Sequence, residues 1–230
     1  MTEILQNLEL APFILSFKLA SVTTLILFFI SLPLAWFLAF TKSRTKPYLE
    51  ALSALPIVLP PSVIGFYILL LLSPNSSLGL FMEQTFGVQL LFSFSGLVVA
   101  SCFYSLPFMV QPLQSGFESL NYAMIESSYL SGKSKLQTLF RVALPNMKPA
   151  LLSALVITFA HTVGEFGVVL MVGGSLPDET RVASVALYEM VEMMEYKEAH
   201  IYSAIMVGMS FFVLLTLYIF NASSQKKIGA

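Results

Sequence analysis

The chain has 230 residues, of which 57% are hydrophobic and only 11% charged, and its net charge is -1. A soluble domain carries roughly 25% charged residues, so this composition, with a mean hydropathy of +0.81, excludes an ordinary water-soluble domain and points to lipid as the solvent. The near-neutral balance offers no footprint for nucleic acid, and the single cysteine, Cys102, can form no internal disulfide.

The first ten residues hold Glu3 and Glu9 and no basic stretch, which argues against a cleaved signal peptide. A helix needs about 20 apolar residues to cross a bilayer, and five stretches qualify. The first runs from Pro12 to Phe40, with Lys18 near its start, where a long side chain can snorkel to the interface. The second, Leu52 to Leu72, is interrupted by Pro56, Pro60 and Pro61. The third covers Leu90 to Pro112, the fourth Pro149 to Val172 and the fifth Ile201 to Phe220. The expected fold class is an all-α integral membrane protein of about five transmembrane helices, with residues 1–230 forming one transmembrane domain.

Basic residues orient the spans. The loops after the first and third spans and the tail after the fifth hold Lys42, Arg44, Lys46, Lys133, Lys135, Arg141, Lys148, Lys226 and Lys227. The opposite side has Arg181 and Lys197, plus Lys18 at the membrane edge, and most of the carboxylates, from Glu3 and Glu83 to Glu198. The positive-inside rule places the amino terminus outside and the carboxyl terminus in the cytoplasm.

The prolines of the second span leave carbonyls without donors, which a membrane tolerates where protein or a water-filled cavity covers them. Either they make a kink at a helix end, or Leu59-Pro60-Pro61-Ser62 lines part of a translocation path. The cytoplasmic segment 118–146 does not read as a loose linker. Asn121 can cap a short helix to Ser131, and Gly132 suits the left-handed residue that ends it. Ser134 with Gln137 forms a capping box for a second helix, Lys135 to Leu144, stopped by Pro145. The pair is shaped to dock in something, or else to rest on the bilayer surface.

Glu126-Ser127-Ser128, then Gly132 after three residues, then Val142-Ala143-Leu144-Pro145 after nine more, resembles the EAA loop of ABC-importer permeases. The chain departs from that pattern by Ser-Ser for Ala-Ala and Val for Ile, while every spacing matches. The resemblance implies the type I importer permease fold and a loop seated in a groove of a separate ATPase, with Glu126, Ser127, Ser128, Gly132, Leu144 and Pro145 as coupling residues. It also implies a homodimer, two cytoplasmic ATPase subunits that bind ATP and Mg, and an extracytoplasmic binding protein. The chain has no Walker-type Gly-rich loop of its own, so no cofactor or catalytic residue is expected in it. The expected location is the inner membrane of a prokaryote.

The fourth span contains the two ionisable groups lying deep within a span, His161 and Glu165, four residues apart on one face. Such residues are costly in lipid and are functional candidates. They can hold a metal, for which no third ligand is near, relay protons, or form a hydrogen-bonded pair or part of a pore wall. Gly164 and Gly167 beside them let another helix approach closely. The run Gly164-Glu165-Phe166-Gly167-Val168-Val169, with Gly173-Gly174-Ser175-Leu176-Pro177-Asp178-Glu179-Thr180, is similar to the oxyanion branch of these permeases, and within it to the molybdate permeases. Pro60 to Tyr67 and Ala183 to Tyr188 also resemble that branch, which sulfate and tungstate permeases share.

A channel for a divalent oxyanion needs no buried Lys or Arg when a separate protein supplies affinity. Hydroxyls, amides and helix N-termini suffice, which offers Ser62, Ser153 and Thr158; with the proline break at Pro60 and Pro61 and the ionisable pair His161 and Glu165 these are the candidates for the path. A bare carboxylate would repel the anion, so Glu165 is expected to be packed away from the path and hydrogen-bonded, or protonated. The outer segment 175–200 is acidic, with apolar residues at helical spacing from Val182 to Met194. It reads as a short helix that contacts a binding protein, or as a solvated lid. The alternative function is a proton- or sodium-coupled secondary carrier using His161 and Glu165, which internal inverted repeats would favour; none is found.

Overall fold

The computed structural model describes residues 9–228, with side chains to residue 219; Glu3 and the side chains of Phe220, Lys226 and Lys227 lie outside that range. Among the described residues every regular element is a helix. The elements are α1 (Ala11–Phe40), α2 (Lys46–Val58), α3 (Pro61–Leu72), α4 (Ser77–Phe86), α5 (Phe94–Glu118), α6 (Tyr122–Leu130) and α7 (Lys135–Thr138). A π-helical turn over Leu139–Ala143 leads to α8 (Leu144–Asn146), α9 (Lys148–Val163), α10 (Gly167–Gly173), α11 (Ala183–Glu192) and α12 (Tyr196–Ile228).

Three helices, α1, α5 and α12, are each long and apolar enough to cross a membrane. On α1, Leu19, Leu27 and Leu38 are buried while Ile14, Leu25 and Phe29 stay exposed. A helix apolar on every side needs protein on one face and lipid on the other. The last helix goes furthest: only 11% of its most apolar window is buried, so lipid or another chain must cover the rest.

Two of the expected spans are not single helices. The second breaks between Val58 and Pro61, and its halves lie 110° apart, far beyond a kink. Proline explains why the break is tolerable, since Pro60 and Pro61 have no N–H to orphan. Leu59 N–H still reaches Leu55, and the N–H groups of Val63 and Ile64 turn back to Pro60. The fourth span divides at Gly164-Glu165-Phe166, where the Gly164 N–H closes α9 onto Ala160 and His161.

Of the two glycines expected to admit a neighbouring helix, only Gly167 does so. A Cβ there would lie 2.9 Å from Pro61 Cβ, whereas Gly164 meets only carbonyls of its own helix and serves as its end. Gly65 completes the contact from α3, for a Cβ on it would lie 2.9 Å from Met171 Cβ and 3.3 Å from Val168 Cα on α10. These halves of two different spans pack as a pair. Gly65→Val should therefore lower the thermal midpoint in detergent, with an overpacking cost of roughly 1–3 kcal/mol.

Other boundaries differ locally. The third span starts at Phe94 and not at Leu90, because Ser93 Oγ accepts the Gly96 N–H at 3.2 Å and caps the helix there. The expected helix over Lys135–Leu144 loosens into the π turn, and Pro145 sits inside α8 without ending it. The chain turns by 85° after Asn146, where Met147 leaves helical geometry. The helix α4 was not anticipated.

The half-span α2 buries only Ser53 and is held on α5 by polar groups. Gln114 Nε2 donates to Glu50 Oε1 at 2.6 Å and to Glu118 Oε1 at 3.0 Å, and Lys46 Nζ stands 3.3 Å from Glu118 Oε1. An exposed ion pair contributes about 0–1 kcal/mol, while an amide serving two carboxylates does more. Gln114→Leu should free α2 more than Lys46→Ala does, read as faster cross-linking of cysteines placed outside that contact.

Candidate functional site

The first functional surface is the segment between α5 and α9, which is fixed below and bare above. Its buried side consists of Ile125, Leu139, Ala143 and Met147, which join Leu32 and Ala35 of α1 and Met109, Leu113 and Phe117 of α5 in one apolar cluster. An aromatic staple adds to this: Phe117 lies 5.1 Å from Trp36, and Tyr122 lies 6.5 Å from Phe40. The segment is thereby packed directly against two membrane helices.

The local devices expected of this segment are present. Asn121 accepts the Ala123 N–H at 3.0 Å, and the Ser134–Gln137 capping box closes in both directions. Gly132 has φ +77; its N–H meets Tyr129 and the Lys133 N–H meets Ser128, which is a Schellman ending. Ser128 is buried against α7, bonded to Thr138 at 2.9 Å, so this position needs a small side chain. Glu126, Ser127, Gly132 and Pro145 are exposed and Leu144 is half-buried. Around them Tyr129, Leu130, Leu136 and Phe140 are exposed, Leu130 by 89%. Such a knot of large apolar groups beside a polar segment is a contact surface in search of a partner.

The second surface is an open cleft of about 600 Å³ at the break of the fourth span. Pro61, Ser62, Tyr104, Ala160, His161, Gly164, Glu165, Phe166 and Gly167 line it. Behind its wall lies a buried polar network. Glu165 has no exposed side-chain surface, and its Oε2 accepts from Ser101 Oγ at 2.6 Å. Its Oε1 accepts a short bond from Ser105 and stands 3.5 Å from His161 Nδ1. Ser105 Oγ also meets His161 Nδ1 at 3.0 Å and Thr162 Oγ1 at 2.9 Å, and Ser184 of α11 donates to the Glu165 carbonyl. The His161 ring stacks on Phe108 at 3.8 Å and meets Tyr104 at 4.9 Å. Glu165 is thus packed inward and hydrogen-bonded, while the imidazole reaches the cleft.

Four of the seven path candidates, Pro61, Ser62, His161 and Glu165, come together at this cleft, with Pro60 exposed beside it. Ser153 is half-buried further along α9, and Thr158 is wholly buried, its hydroxyl without a hydrogen-bond partner among the described residues. The sequence reading missed Ser101, Ser105, Tyr104 and Ser184. A trace was visible, since Ser101 and Ser105 are i, i+4 hydroxyls on one face of an apolar span. Among the described residues no group of three or more His, Cys, Asp and Glu side chains is arranged to hold a metal.

The outer segment 175–200 is tied down at its base. Arg181 pairs with Glu9 at 2.9 Å and Glu189 at 2.8 Å, and Thr180 Oγ1 donates to the Gly173 carbonyl at 2.7 Å. On α11 the Tyr188 hydroxyl donates to Glu192 at 2.6 Å, and that carboxylate pushes the phenol above its usual pKa.

Comparison with known proteins follows the same lines. Residues 15–228 match the family described as "Binding-protein-dependent transport system inner membrane component". The chain is 46% identical to the "Molybdenum transport system permease protein ModB" of Azotobacter vinelandii, over 91% of this chain and 93% of that one. It is 29% identical to the "Sulfate transport system permease protein CysT" of Salmonella typhimurium, over 80% of this chain and 66% of that one. Among solved structures, a bacterial ABC transporter for the import of alginate aligns with a TM-score of 0.75 at 19% identity, covering 93% of this chain and 79% of that one. The MetNI methionine ABC transporter in an inward-facing conformation aligns with a TM-score of 0.74 at 16% identity, covering 97% and 99%. The chain therefore belongs to the inner-membrane components of binding-protein-dependent transport systems, and is a permease subunit of an ABC importer, not an enzyme.

Proposed function

We propose that this permease carries a tetrahedral oxyanion, molybdate before tungstate or sulfate, across the inner membrane of a prokaryote. The observation that carries the choice is the 46% identity, over nearly the full length of both chains, to a molybdenum permease, against 29% to a sulfate permease. Two copies of the chain enclose the path, each seating its 118–146 loop in one ATPase subunit, and a binding protein delivers the anion at the outer face. The amino terminus lies outside and the carboxyl terminus in the cytoplasm, as the basic loops require. ATP and Mg are held by the ATPases.

Within that assembly Glu126, Ser127, Ser128, Gly132, Leu144 and Pro145 form the coupling contact. Closure of the ATPases pushes α6, and the apolar cluster beneath it moves α1 and α5. Pro60, Pro61, Ser62, Ser153, Thr158, His161 and Glu165 belong to the path or its supporting wall. The acidic segment 175–200 faces the binding protein.

The test is genetic. In cells lacking molybdate uptake, the chain expressed with its ATPase and binding protein should restore molybdenum-dependent enzyme activity at trace molybdate. Rescue of a sulfate-uptake mutant in its place would move the substrate to sulfate.

A further inference from the structure

The polar network behind the cleft fixes where its protons lie. Ser101 and Ser105 both donate to Glu165, so the single Ser105 proton is spent on Oε1. A hydroxyl oxygen keeps two lone pairs, and Ser105 Oγ has two further partners, His161 Nδ1 at 3.0 Å and Thr162 Oγ1 at 2.9 Å. Thr162 spends its own proton on the Thr158 carbonyl at 3.0 Å, and with the Ser105 proton on Glu165 the bond between Ser105 and the ring is made only by a proton on Nδ1 of His161. With Nδ1 tied inward, the exposed part of the ring, 20% of the side chain, presents the edge that bears Nε2 to the cleft.

That edge has two states of opposite character. In the neutral ring Nε2 is a bare lone pair that repels an anion; in the imidazolium it is a charged N–H donor. We propose that the cleft is an oxyanion subsite in which imidazolium His161 is the contacting group. Glu165, acting through Ser105, is the positioning residue that keeps the ring proton on Nδ1. The inference rests on the oxyanion reading given above. Ser62 and Tyr104 line the same cleft and offer hydroxyls to the remaining oxygens.

The groups facing the ring are few. From α5 come Tyr104 and Phe108, and from the break comes Glu165 at 3.5 Å. The helices α3 and α10, which close the cleft, contain no charged residue. Among the described residues no Lys, Arg, Asp or second His pairs with the ring from α1 or α12. The ring therefore faces one carboxylate on the inside and whatever anion stands in the cleft outside. A charge that comes and goes with one proton suits a route, since a fixed cation would hold a dianion too long.

Two measurements test this. In the purified wild-type permease–ATPase complex without binding protein, diethyl pyrocarbonate modification of His161 is followed by peptide mass spectrometry, with exposed His200 as the internal reference. Molybdate or sulfate at about twice its dissociation constant should slow His161 about threefold, while chloride at equal ionic strength leaves it unchanged and His200 is unaffected throughout. Equal rates with and without oxyanion overturn the subsite.

In proteoliposomes with saturating loaded binding protein, anion moved per ATP hydrolysed should fall severalfold in His161→Gln. Ser105→Ala should lower it less, and Ser105→Thr, which keeps a hydroxyl beside Nδ1, should restore it. A His161→Gln yield per ATP matching the wild type sinks the inference alone; a wild type that moves no oxyanion sinks the functional reading beneath it.

Discussion

Changing Gly132 to Leu should leave a folded, membrane-inserted permease that no longer holds its ATPase. The backbone argument sets the cost to the chain itself. At φ +77 a side chain costs about 1–2 kcal/mol, a fraction of the 5–15 kcal/mol typical of a folded domain. Inside the chain there is nothing to collide with, since no atom lies within 4 Å of a Cβ at this position. Any steric penalty must therefore come from a partner seated on the loop. Copurification of the ATPase with tagged permease should fall about tenfold or more, equivalent to at least about 1.4 kcal/mol. Gly132→Asn is the companion, because Asn tolerates the left-handed region and carries a smaller side chain; it should retain part of the binding. An ATPase that stays bound to Gly132→Leu would show that the loop docks elsewhere.

The second large effect is expected at Glu165, on folding. Glu165→Ala removes both acceptors of Ser101 and Ser105 in a site with no exposed side-chain surface. Each buried hydroxyl left unpaired costs about 1–3 kcal/mol, and the cavity adds to that. A total loss of roughly 3–5 kcal/mol should appear as poor yield and a lowered thermal midpoint in detergent. Glu165→Gln keeps the shape and one acceptor, so it should lose much less. Equal midpoints for the Ala and Gln variants would mean that the network does not hold the break together.

What could be read from the sequence was local. Asn121, Gly132 and the Ser134–Gln137 pair each act within a few residues of themselves, so these caps of the loop were visible, while the π turn and the place of Pro145 were not. The five apolar stretches were visible for the same reason, as runs of hydropathy. The breaks were not, because their causes lie far away in the chain. Gly164 ends α9 locally, but the partners that hold the Glu165 carboxylate at the break, Ser101 and Ser105, lie 64 and 60 residues earlier. The angle between α2 and α3 likewise depends on α3 packing on α10 through Gly65 and Gly167, a contact between two spans. Three prolines announced irregularity without giving its size. The inward placement of Glu165 followed from the cost of a bare carboxylate near an anion, which is a matter of charge and needs no coordinates.

The most direct test of the central claim is uptake of radiolabelled molybdate by proteoliposomes containing the permease with its ATPase, supplied with loaded binding protein. The account predicts accumulation that requires ATP, persists when proton and sodium gradients are collapsed, and is competed by tungstate more strongly than by sulfate. Uptake driven by an ion gradient without ATP, or no uptake of any tetrahedral oxyanion, would contradict it.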